Sequence, residues 1–177
     1  MALLPSRDGT ETEHGNSIDE YVDINYSRTV SSRKMLPYET TILVRDCCLC
    51  LHVQRAARAL ARRFDEVLRP FTLTNGQFSL LMSLNRPEPP PMGPVASLLA
   101  MDRTTLTAAL KPLERRGLVE ISQDPSDRRS RILKLTGEGH DLLASALPVW
   151  ERTHNEIEQL IPNGNPAEFR KSLRALS

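Results

Sequence analysis

The chain has 177 residues, of which 40% are hydrophobic, 25% charged and 5% aromatic, and its formal net charge is +1. This is ordinary globular composition, with length for one domain plus an extension. No run of about 18 uninterrupted apolar residues reads as a membrane span, and the opening MALLPSRDGTETEHG lacks the charged-then-apolar order of a secretory signal. The three cysteines, all within Cys47 to Cys50, make no disulfide framework and suit a reducing cytosol.

Residues 1–44 are polar and without sustained period, and are expected to form an extension of low structural commitment. They could serve as a tail, as an arm around a partner chain, or reflect the choice of start site. From Asp46, read as an N-cap, Cys50, Val53, Ala57, Leu60, Phe64, Val67 and Phe71 recur every three or four residues. That spacing predicts one long helix over 46–70 whose stripe packs on other long helices, a partner chain's included. Thr74-Asn75-Gly76-Gln77 is a capping box, with Leu73 and Phe78 placed as a hydrophobic staple, so a second helix is expected over Thr74–Leu84. The proline run Pro87 to Pro91 ends it.

A short helix is expected over Pro94–Ala100, with Val95, Leu98 and Leu99 as its apolar side, then a tight break at Met101. Asp102 caps the next helix, Arg103 to Arg116, which stops at Gly117. Leu106, Leu110 and Leu113 form its inner edge, and Pro112 is expected to loosen one turn. Two strands follow, Leu118–Ser122 and Arg131–Leu135, joined by a charged, turn-rich tip. In the second strand Ile132 and Leu135 carry the apolar phase and Leu133 breaks it. Thr136 caps a long helix that Pro148 should kink. Asn165-Pro166 opens a last helix with Phe169, Leu173 and Leu176 in phase.

The fold class is therefore mainly α with a small β-hairpin wing. Short helix, tight turn and second helix make a helix-turn-helix, whose second helix can enter the major groove of DNA. Residues 103–134 hold eight basic against four acidic residues, a net of +4, whereas residues 1–46 hold five against eight, a net of −3. Such a local patch is either an electrostatic footprint for nucleic acid or a solvated charged face. On the second helix, Arg103, Thr104, Thr107, Ala108 and Lys111 should face outward. Arg103 suits a guanine edge or a phosphate, and the threonines suit phosphates, bases or simply helix capping. At the wing, Arg129 is the expected minor-groove contact, with Arg128 and Arg131 on phosphates. Asp127 would brace an arginine through a charge-assisted hydrogen bond. The bland alternative is a solvated hairpin tip.

Three stretches carry a resemblance to the MarR family of bacterial regulators. They are Ala56-Ala57-Arg58-Ala59-Leu60 through Phe64-Asp65 to Leu73-Thr74 and Gln77-Phe78; Met101 to Thr107 with Leu113-Glu114-Arg115-Arg116-Gly117-Leu118-Val119; and Asp127-x-Arg129 with Leu135-Thr136. The resemblance covers roughly residues 45–177. It implies a winged helix-turn-helix over 74–135 and a homodimer joined by helices over 46–70 and 137–177. It also implies a palindromic double-stranded operator, and repression relieved by a small-molecule effector or by oxidation. Related sequences often carry arginine or another polar residue where this chain has Ala108 and Ala109, which thins hydrogen-bonded base readout here. A ligand pocket lined by Phe64, Trp150 and His154 is implied, although Trp150 at helical spacing also suits plain core.

Cys47, Cys48 and Cys50 are candidates for a thiol switch, or else small buried hydrophobes at the interface. A metal site is not expected: Cys48 and His52 share a helix face, but two ligands do not close a tetrahedron. No cofactor is called for. Without a glycine-rich phosphate loop, HExxH or GxSxG, an enzyme is not expected. The leading expectation is a cytoplasmic, DNA-binding transcriptional regulator with no membrane association. Its rival is a winged-helix protein-interaction module without sequence-specific DNA binding.

Overall fold

A computed structural model describes residues 35–125, 127, 129–161 and 164–176. The chain falls into two units that divide between Val44 and Arg45. Helix α1 runs Tyr38–Cys47 and has no buried residue. The extension expected over residues 1–44 is thus helical from Tyr38 onward.

Asp46 does not cap the long helix. It lies near the end of α1, its carboxylate held by Arg45 at 2.6 and 2.8 Å. The chain breaks at Cys48, which is extended (φ −73°, ψ 102°) and whose sulfur accepts the Leu51 N–H at 3.4 Å, so α2 runs Leu49–Leu68. Phe64 and Leu68 are buried, but the earlier part of the predicted stripe, including Val53 and Leu60, is exposed. A single 3-10 turn, Arg69–Phe71, ends on Thr72 in the left-handed region and redirects the chain.

Helix α3, Asn75–Leu84, begins with both halves of the expected capping box: Gln77 N–H to Thr74 Oγ1 at 3.2 Å and Thr74 N–H to Gln77 Oε1 at 3.1 Å. Helix α4 is Met92–Leu98, two residues earlier than expected, because extended Pro91 fills the N-cap position and leaves Pro94 inside the first turn, where its missing N–H costs nothing. Its buried side is Val95 and Ala96, whereas Leu98, expected inside, is 58% exposed. Ala100, at φ 51°, closes α4 with Ala100 N–H to Ser97 C=O and Met101 N–H to Ala96 C=O. That motif is the turn of the helix-turn-helix.

Helix α5, Arg103–Arg115, starts on Asp102, whose carboxylate accepts the Thr105 N–H at 2.7 Å. It ends with Gly117 at φ 71° and the same paired hydrogen bonds, Gly117 N–H to Glu114 C=O and Leu118 N–H to Leu113 C=O. The hairpin pairs β1, Val119–Gln123, with β2, Arg131–Leu135, in the register Val119 opposite Leu135 and Gln123 opposite Arg131. The expected phase of β2 is corrected: Leu133 and Leu135 face the core, and Ile132 points to the other side. Ile132 forms a single antiparallel bridge with Pro91, and the Leu133 N–H donates to Pro90 C=O at 3.0 Å, so the end of the proline run lies along the edge of β2.

Helix α6, Gly137–Glu158, is capped by Thr136, whose hydroxyl accepts the Gly139 N–H at 3.0 Å and donates to Gly117 C=O at 2.7 Å. Pro112 and Pro148 both lie inside helices that continue past them. Helix α7, Pro166–Arg174, follows from Asn165 as expected, its side chain accepting the Glu168 N–H at 3.0 Å. One core joins α2 through α6, centred on Leu68, Leu80, Leu81, Leu106, Leu110, Leu113 and Leu133. The Arg170 guanidinium donates to Glu158, tying α7 to α6 and holding that carboxyl below its usual range, with His154 a lesser influence.

Candidate nucleic-acid interface

Helix α5 is anchored before it can present anything. Leu106, Leu110 and Leu113 are wholly buried, and burying each is worth about 1.5–3 kcal/mol. The Arg116 guanidinium at its far end donates to Thr72 C=O at 2.7 Å, locking α5 to the end of α2. At its near end, Asp102 accepts from both the N–H and the hydroxyl of Thr105, and these bonds hold its carboxyl below its ordinary value. What remains outward is exposed: Arg103, Thr104, Thr107, Ala108 and Lys111. The Thr107 hydroxyl donates to Arg103 C=O at 2.7 Å.

The wing tip is held by its own backbone. Asp127 Oδ1 accepts the Arg129 N–H at 2.9 Å, Asp127 C=O accepts the Ser130 N–H at 2.8 Å, and the Asp124 N–H donates to Ser130 C=O at 3.2 Å. The expected contact between Asp127 and an arginine therefore goes to the Arg129 main chain, as an aspartate-stabilised turn. Arg128 lies outside the described residues. Arg129 and Arg131 are both exposed.

These parts meet. Arg103 from α5, Asp127, Arg129, Ser130 and Arg131 from the wing, and Met92 and Gly93 from α4 line one concavity of about 220 Å³. Three arginines and one aspartate thus border a shared space at the seam of helix and wing. Such a cluster suits a polyanion whose phosphates run past it. Met92 and Gly93 escaped the sequence reading because Pro91-Met92-Gly93-Pro94 looks like a breaker.

The three expected pocket residues are gathered, in a different way. Trp150 stacks on His154 (centroids 4.6 Å apart), on Phe78 (5.9 Å) and on Phe64 (6.2 Å). A cavity of about 330 Å³ beside them is lined by Phe78, Ser79, Met82, Ser83, Leu98, Leu99 and Trp150. Phe64 belongs to the core, and His154 Nε2 lies 3.1 Å from Glu158 Oε1. The cysteines are not buried hydrophobes of this chain: Cys47 and Cys50 are exposed and Cys48 half-buried, all as free thiols. Cys50 Sγ accepts from Gln54 Nε2 at 3.1 Å. Among the described residues no group of three or more His, Cys, Asp or Glu is placed to hold a metal ion, and no helix is long and apolar enough to cross a membrane.

Fold and seam together define a winged helix-turn-helix protein. The MarR family profile matches residues 73–130. The chain is similar to the transcriptional repressor MprA of Escherichia coli strain K12, 31% identical over 132 residues that cover 73% of this chain and 70% of that protein. Among solved structures it resembles the Mycobacterium tuberculosis transcriptional regulator MosR in complex with DNA, at 32% identity and TM-score 0.66, covering 73% of this chain and 92% of that one. It also resembles the transcriptional repressor CouR bound to a 23-mer DNA duplex, at 29% identity and TM-score 0.65, covering 82% and 99%. The chain belongs to the MarR family of transcriptional regulators.

Proposed function

We propose that the protein is a homodimeric repressor that binds a palindromic duplex operator through α5 in the major groove and the wing in the adjacent minor groove. The observation that carries this is the seam where Arg103, Arg129 and Arg131 converge on one concavity. Arg129, at a tip shaped by Asp127, enters the minor groove, where a narrow groove rewards a guanidinium most. Arg131 and Arg128 serve phosphates. The DNA complexes of MosR and CouR support this reading. Arg129→Ala should weaken operator binding by about 1–3 kcal/mol, measured by fluorescence anisotropy, while circular dichroism stays unchanged. Unchanged affinity would remove Arg129 from the interface. An affinity for DNA that does not fall with salt would favour the protein-interaction rival.

For release, the half-open cavity beside Trp150 supports a small-molecule effector. The cluster of free thiols at Cys47, Cys48 and Cys50 supports a second trigger, thiol oxidation by a hydroperoxide at the α1–α2 break. Peroxide treatment should then lower operator affinity reversibly, and a variant with all three cysteines changed to serine should not respond. An equal response in that variant would end the thiol role.

A further inference from the structure

Opposite the buried edge of Leu106, Leu110 and Leu113, at about 100° per residue, the outer ridge of α5 carries Thr104, Ala108, Lys111 and Arg115, all exposed. Arg103 is off that ridge, since it lines the concavity shared with the wing. Thr107 flanks the ridge. Its single hydroxyl proton is spent on Arg103 C=O at 2.7 Å, as that of Thr105 is spent on Asp102 Oδ2 at 2.8 Å. Outward, Thr107 therefore offers a methyl group and oxygen lone pairs, not a donor. The first two turns of a recognition helix are the part that reaches base edges in this motif. Here those turns bear the methyl groups of Thr104, Thr107 and Ala108, and the long cations of the ridge come a turn later.

In the major groove only thymine presents a methyl group. We propose that α5 selects its half-site by packing these methyl groups on thymine 5-methyl groups, so that A·T pairs lie beneath Thr104 and Ala108. Arg103 serves the phosphate backbone at the seam. This rests on the DNA-binding reading above and names what that site selects. A G·C pair is disfavoured because it offers no methyl group to pack against.

The test uses the full chain and operators selected from a random duplex pool. Thymine is replaced by uracil one position at a time, which deletes only the 5-methyl group, and affinity is read by anisotropy. One or two symmetric positions per half-site should each lose about fourfold, the equivalent of about 0.8 kcal/mol for one buried methyl group. In Ala108→Gly one of those penalties should vanish while the others stay. This ratio compares two duplexes on one protein, so any loss of helix stability cancels. Thr107→Val should bind as wild type, and Thr107→Ser should lessen the penalty at the thymine its methyl group meets while the others stay. Indifference to uracil at every position, a selected G·C core, or full discrimination in Thr107→Ser with none in Thr107→Val would overturn the proposal. A protein that shifts no duplex at all would instead overturn the DNA-binding reading on which it rests.

Discussion

At the scale of single residues, Gly139 shows how tightly the wing is joined to the helix that follows it. Its N–H donates to Thr136 Oγ1 at 3.0 Å, and the same hydroxyl donates to Gly117 C=O at 2.7 Å, so one threonine clamps the end of the recognition unit to the start of α6. A Cβ on Gly139 would stand 2.4 Å from Leu118 C=O and 2.7 Å from Leu135 Cδ1, closer than atoms can come. Alanine would gain about 1 kcal/mol of helix propensity, but the nearest obstacle is a backbone carbonyl that cannot rotate away. Overpacking of this kind costs about 1–3 kcal/mol, so the net effect is destabilising. Gly137, two residues earlier, has nothing within 4 Å of its Cβ position. Gly139→Ala should therefore lower the urea midpoint, while Gly137→Ala leaves it level or raises it. Equal midpoints for the two variants would contradict the close approach.

At the scale of elements, what the sequence disclosed was whatever local chemistry decides. The capping box at Thr74, the Asp102 cap and Asn165 are side chains satisfying backbone groups three residues away, Gly117 supplies the left-handed backbone that ends α5, and each marks a helix end in the structure. Where the structure departs from the expected elements, the deciding contact is one that residue propensity does not rank. Propensity favours Asp46 as the cap of α2, yet Asp46 is taken by Arg45 and a cysteine sulfur does the capping. The phase expected for β2 fails because Ile132, Leu133 and Leu135 are all apolar, so alternation does not single out one face. The structure turns Leu133 and Leu135 to the core and leaves Ile132 half-buried on the other side. The seam was half legible: the outward residues of α5 and the arginines of the tip follow from period and charge. That Arg103 turns toward the wing does not, since it needs Met92 and Gly93 placed beside Ser130.

At the scale of the molecule, two apolar stripes lie exposed among the described residues. On α2, Val53 and Leu60 are 41% and 40% exposed, and on and just after α7, Phe169, Leu173 and Leu176 are 46%, 39% and 67% exposed. Both stripes keep helical phase, as buried faces do, which is how an amphipathic helix looks when its partner is missing. A two-fold partner would cover them, and a two-fold arrangement is what a palindromic operator requires. Each residue on such an interface counts twice, so Leu173→Glu removes two leucine contacts and inserts two charges into apolar surroundings. At about 1.5–3 kcal/mol for each leucine, the dimer should weaken by at least two orders of magnitude. Sedimentation equilibrium should then show monomer at micromolar concentration, and operator affinity should fall much further than Arg129→Ala lowers it, because two linked heads bind far more tightly than one. A Leu173→Glu protein that sediments as wild type would place the dimer contact elsewhere on the chain.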